Sequence, residues 1–77
     1  MINLENAEVL RQLVQLCIDN DADFFEMKKG TAEPYIENAL ASALSPFGCE
    51  NWYVVGSYRV LVRSTLDDNW YFTFEKV

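Results

Sequence analysis

The sequence predicts a two-layered α+β fold. Two main helices, with a short third one, pack on one face of a three-stranded antiparallel β meander, in the order α-α-β-β-β. Three observations predict it. Apolar residues recur at helical spacing up to Leu44. After Gly48 the spacing switches to strict alternation. Gly56-Ser57 then sets a tight turn between two alternating runs.

The first helix is predicted over Leu4–Ile18. Leu10, Leu13, Val14, Cys17 and Ile18 follow the i, i+3, i+4, i+7, i+8 pattern, and Ala7 extends it backwards. Glu8, Gln12, Gln15 and Asp19 form the opposite, polar stripe. Asn3 or Asn6 serves as N-cap, and Glu5 and Glu8 suit the positive end of the helix dipole. Asp19-Asn20-Asp21 breaks the pattern.

Residues Ala22 to Lys29 are expected to form the short helix, because Lys28-Lys29-Gly30 reads as a helix end with a glycine stop. A short strand is the alternative, since eight residues do not define a period. The next helix starts at Thr31-Ala32-Glu33-Pro34, with Pro34 accepted in a first turn. Ile36, Ala39, Leu40, Ala43 and Leu44 form its apolar stripe, and Pro46 and Gly48 end it.

The runs Asn51–Val55, Tyr58–Ser64 and Trp70–Lys76 are rich in aromatic and β-branched residues, as strands are. Glycine first in Gly56-Ser57 suits a type II′ hairpin, which pairs Val55 with Tyr58 and Tyr53 with Val60. A second, odd-length loop keeps Trp70, Phe72 and Phe74 on the face of Val60 and Val62. Asp67-Asp68-Asn69 is the predicted loop, with Asn69 in the left-handed conformation.

Size and charge bound the function. The 77 residues suffice for a single domain, residues 1–77, and 51% of them are hydrophobic, ample for a core. A chain this short buries only about 60% of its unfolded surface. Twelve acidic against six basic residues give a net charge of −6, which repels nucleic acid and anionic membranes and attracts basic partners. No apolar run is long enough to span a membrane. No basic, apolar leader opens the chain, so Cys17 and Cys49 read as reduced thiols of a cytoplasmic protein.

Most catalytic chemistries lack their residues. There is no histidine, which removes His-based triads and, with only two cysteines, a zinc site. Three glycines do not make a phosphate loop. Asp19, Asp21 and Asp23 open like a calcium loop, but Phe24 stands where that loop needs glycine and Gly30 where it needs glutamate. Glu33/Glu37 and Asp67/Asp68 lie where helix starts and turns favour acids. The expectation is a non-enzymatic protein without a cofactor.

Two surfaces remain as binding candidates. The register puts Trp52, Val54, Arg59, Leu61, Arg63, Tyr71, Thr73 and Glu75 on the second sheet face, where aromatics and aliphatics rimmed by charge suit an interface. Eight of the 12 acids precede Asn38, so the helical half presents a negative surface able to compete with nucleic acid for a basic groove. The expected function is therefore an acidic protein–protein interaction module, an inhibitor of a basic, nucleic-acid-binding target. Glu5, Glu8, Asp19, Asp21, Asp23 and Glu26 would carry it. The profile matches small phage-encoded inhibitors of host defence, anti-CRISPR proteins among them, in composition only. Two alternatives use the sheet face: a homodimeric adaptor joined through Trp52, Leu61 and Tyr71, and, ranked below it, a binder of single-stranded nucleic acid through Trp52, Tyr71, Arg59 and Arg63.

Overall fold

A computed structural model describes residues 2–77. Its elements run α1 (Leu4–Asp19), β1 (Phe24–Lys28), α2 (Pro34–Ser42), β2 (Tyr53–Val55), β3 (Tyr58–Ser64) and β4 (Asn69–Lys76). The class is α+β, with two helices and a four-stranded antiparallel sheet in the order β1-β4-β3-β2.

The fourth strand corrects the expected short helix. Phe24–Lys28 pairs with β4, setting Phe25 opposite Phe72 and Met27 opposite Trp70. The physical reason lies in β4. Trp70 and Phe72 are buried, so backbone groups on the far edge of β4 need hydrogen-bond partners away from water. Residues 24–28 supply them. Gly30, at φ 84°, is thus a turn residue and not a helix stop. The C-terminal strands do form a meander, and β1 joins its open side after crossing from α1.

Asn3 caps α1, its Oδ1 accepting the Asn6 N–H at 2.8 Å. Leu10, Leu13, Val14 and Cys17 are buried as the stripe predicts, whereas Ile18 is 40% exposed at the helix end. In α2, Ala39 and Leu40 are buried, and Ala43 follows them just past the helix. Leu44 leaves the helical stripe and forms a parallel bridge with Val62 instead. The adjacent Ser45 amide donates to the Val62 carbonyl at 2.9 Å. Ser45 also closes the next loop, its hydroxyl donating to the Asn51 carbonyl and accepting the Asn51 N–H.

The β2–β3 hairpin has the predicted register, Val55 with Tyr58 and Tyr53 with Val60. Gly56 takes φ 66° there, the value its turn position requires. The β3–β4 loop is corrected by one residue. Thr65 donates to the Asn69 carbonyl at 2.9 Å, so Leu66-Asp67-Asp68 is the loop and Asp68 is left-handed at φ 62°. The loop stays odd in length, so the faces hold while the register moves to Val62 opposite Phe72.

The helices meet the sheet across one core. Leu10, Val14 and Leu40 interlock with Val60, Val62 and Phe72. Phe25 stacks on Phe72 with ring centroids 4.9 Å apart, which draws β1 into the same core.

Candidate protein-interaction surface

The outer sheet face carries the residues the alternation assigned to it, extended by Phe24, Glu26 and Lys28 of β1. No helix of the core cluster covers it. The face covers itself in part, around Leu61, while Val54 stays 67% exposed. Leu61 is only 3% exposed, with Thr73 opposite it on β4; continuing the β2–β3 register by one residue sets Trp52 on its other side. The Arg59 guanidinium lies 4.6 Å from the centre of the Trp52 ring and is ion-paired to Glu75. Arg63 pairs with Glu50 at 3.0 Å. Phe24 stacks on Tyr71 with centroids 5.6 Å apart. Both arginines are committed to carboxylates, so this face offers little free positive charge for a phosphate backbone.

The six acids assigned to a binding surface are not gathered in one place. Glu5 and Glu8 sit at the start of α1, and Glu8 is held by Arg11 at 2.6 Å. That hydrogen-bonded guanidinium keeps the Glu8 carboxyl below its usual range. About 16 Å of helix separates Glu8 from Asp19. Glu26 lies on the outer sheet face, where its carboxylate accepts from the Asn69 side chain at 3.0 Å.

Asp19, Asp21 and Asp23 form the remaining group, at the corner where α1 turns into β1. All three are exposed, and among the described residues none is ion-paired. Asp19 accepts from Gln15 at 2.9 Å, and Asp21 adopts φ 55°. Lys76 lines the same hollow as Asp21 and Asp23. The acids stand at the negative end of the α1 dipole, where a cation would be favoured, and the last turn of α1 holds none. Among the described residues no group of acids and cysteines converges in the manner of a metal site.

Sequence reasoning missed the feature beside this corner. A groove of about 400 Å³ runs along the outer edge of β1, beneath Leu13 and Leu16 of α1 and Ile36 of α2. Phe25 and Met27 form its sheet side. Leu16, 57% exposed, and Phe24, 48% exposed, are apolar side chains that the core leaves at its margin. The signal in the sequence was Leu16, an apolar residue off the core stripe of α1. The groove itself depends on β1 being a strand. Cys17, at the groove, is buried, and Cys49 is exposed; both are free thiols. Burial, with Asp23 nearby, pushes the Cys17 thiol above its ordinary pKa, so it is a poor nucleophile.

Glu37 has a structural task that the helix-start reading did not foresee. Its carboxylate accepts from the Gly30 amide at 2.8 Å, the Ala32 amide at 3.2 Å and the Trp70 indole N–H at 3.0 Å. It joins the β1–α2 connection to β4.

No helix among the described residues is long and apolar enough to cross a membrane. Comparison with family models, with curated proteins and with solved structures finds no match.

Proposed function

We propose that this chain is a non-catalytic, acidic binding module that docks on a basic surface of another protein, and that it acts as an inhibitor of a nucleic-acid-binding target. The observation that carries this reading is that Asp19, Asp21 and Asp23, all exposed, follow one another at the negative end of α1 with no ion pair among the described residues, Lys76 alone lining the hollow of Asp21 and Asp23. Folding gains little from that placement beyond the Gln15–Asp19 bond and the left-handed turn that Asp21 tolerates. Like charges repel there, and an acid at a helix C-terminus costs roughly 0.3–1 kcal/mol. A basic partner would convert the cost into attraction, strongest in the encounter step.

The test compares capture by the wild type and by the triple variant Asp19→Asn, Asp21→Asn, Asp23→Asn, at low and high salt, with captured proteins identified by mass. A basic, nucleic-acid-binding protein held by the wild type at low salt and lost by the triple variant supports the reading. Its association rate should also fall severalfold in the variant. Equal capture by both proteins, or capture that survives high salt unchanged, overturns it and returns the role to the outer sheet face, as an adaptor or a homodimer.

A further inference from the structure

The free edge of β1 and the apolar groove beside it define how a partner would be held. β1 is terminal in the sheet, so one of its edges has no strand beside it among the described residues. Three contacts show which backbone groups point outward. The Lys29 amide donates to Asp68, and the Asp23 carbonyl accepts from the Thr73 hydroxyl; both face β4. The Lys28 carbonyl accepts from the Thr31 hydroxyl, away from β4. By alternation, the N–H and C=O groups of Phe24 and Glu26 face the open edge.

Such an edge is a template for another strand unless it is blocked. Proline, a bulge and an inward-pointing charge are absent from Phe24–Lys28; the one guard is at its end, where Lys28 is charged and its carbonyl is taken by Thr31. The space next to the edge is roofed by the apolar side chains of Leu13, Leu16 and Ile36. A strand laid there would turn alternate side chains under this roof and the others outward beside Glu26. Its end would reach Asp21 and Asp23. Charge chooses the occupant. A second copy of this chain would bring its own net charge of −6 and its own aspartates to the seam. A basic segment would meet Glu26, Asp21 and Asp23, against Lys28 at the far end of the strand and Lys76 beside the aspartates.

We infer that the partner contributes an extended segment of alternating basic and apolar residues, which adds to β1 as a fifth strand. Its apolar side chains enter the groove, and its backbone pairs with Phe24 and Glu26. This rests on the reading of the chain as a module for a basic partner, and it specifies the contact.

The experiment uses a capped synthetic octapeptide of alternating lysine and valine, titrated onto the whole chain with binding followed by amide chemical shifts. Glu26→Gln removes a charge and keeps the outward N–H. Glu26→Pro removes both and leaves the backbone pairing with β4 in place, losing only the side-chain bond from Asn69, which Glu26→Gln can keep. The expected result is shifts centred on Phe24 and Glu26, a loss of a few fold in affinity for Glu26→Gln, and at least tenfold for Glu26→Pro. N-methylation of one alternate set of peptide amides should abolish binding to the wild type, while methylation of the other set should leave it. That comparison stands even if Glu26→Pro folds poorly. Indifference to both methylations, or no binding at all, overturns strand addition and leaves capture by the aspartates to be judged by its own test. Equal binding of a glutamate–valine peptide overturns the basic partner. A dimer of the protein alone, seen by light scattering and lost in Glu26→Pro, would assign the edge to a second copy and overturn the proposal.

Discussion

The indole N–H of Trp70 donates to the carboxylate of Glu37 at 3.0 Å, and through this bond the start of α2 is fastened to the middle of the sheet. Trp70 is 6% exposed, so its N–H has no ready substitute in water. Lys29 completes the arrangement, its ammonium 4.7 Å from the centre of the Trp70 ring.

Glu37→Ala should therefore lower the melting temperature by about 5 °C or more, because it orphans the indole donor and two loop amides together. Glu37→Gln, which keeps an acceptor, should cost less. The pH dependence has a definite sign. The Trp70 N–H, then the Gly30 and Ala32 amides, hold the folded carboxyl below the ordinary value of 4.5. The unfolded chain thus takes up this proton first. The stabilisation is complete above pH 4.5 and is lost as pH falls toward the folded pKa. Thermal melts from pH 7 to pH 3 should show a shallower acid decline in Glu37→Gln than in the wild type. Parallel declines would remove Glu37 from the acid response.

Asp19→Asn should stabilise the chain by roughly 0.3–1 kcal/mol, since it removes a negative charge from the C-terminal end of a helix. Asn keeps an oxygen for the Gln15 amide bond. The same change should weaken binding to a basic target, so stability and binding should move in opposite directions. Denaturant midpoints and association rates on one set of samples check this. A variant that is less stable than the wild type would show that Asp19 serves the fold.

Gly56→Ala should destabilise by about 1 kcal/mol, because φ 66° strains any residue with a Cβ. Space is secondary here: the added carbon would meet the Arg11 side chain at 3.6 Å, an ordinary contact. Gly56→Asn should recover part of the loss, since Asn tolerates a left-handed backbone. Urea midpoints for the three proteins distinguish backbone strain from crowding, which would make Asn worse than Ala.

Trp52→Ala should lower stability by about 1–2 kcal/mol even in the absence of any partner. The half-buried ring stands next to Leu61 in the continued register and carries the Arg59 guanidinium, and both its own apolar burial and the cation–π contact go with it. An unfolding free energy equal to that of the wild type would show that Trp52 is free for a partner and not engaged by the fold.

Much of the fold was legible because its signals are local. The stripe from Leu10 to Cys17 and the Asn3 cap specify α1 within about four turns of chain. The glycine-first turn at Gly56-Ser57 sets the β2–β3 register between residues that touch. The parity of the second loop put Phe72 on the core face even though the loop residues were displaced by one. Composition excluded histidine-based catalysis and named the acids. The sequence by itself therefore determined the class, the core stripes and the two faces of the meander.

Only the tertiary structure decided what residues 24–28 become. Nothing within those five residues separates strand from helix. Their conformation is imposed by the open backbone edge beside buried Trp70 and Phe72, more than 40 residues away in the chain. From that one pairing follow the fourth strand, the groove beneath Leu13 and Leu16, and the division of the acids. Glu26 goes to the outer face, while Asp19, Asp21 and Asp23 stay at the corner. Pairing between distant segments is paid for by the whole core, and no local pattern encodes it.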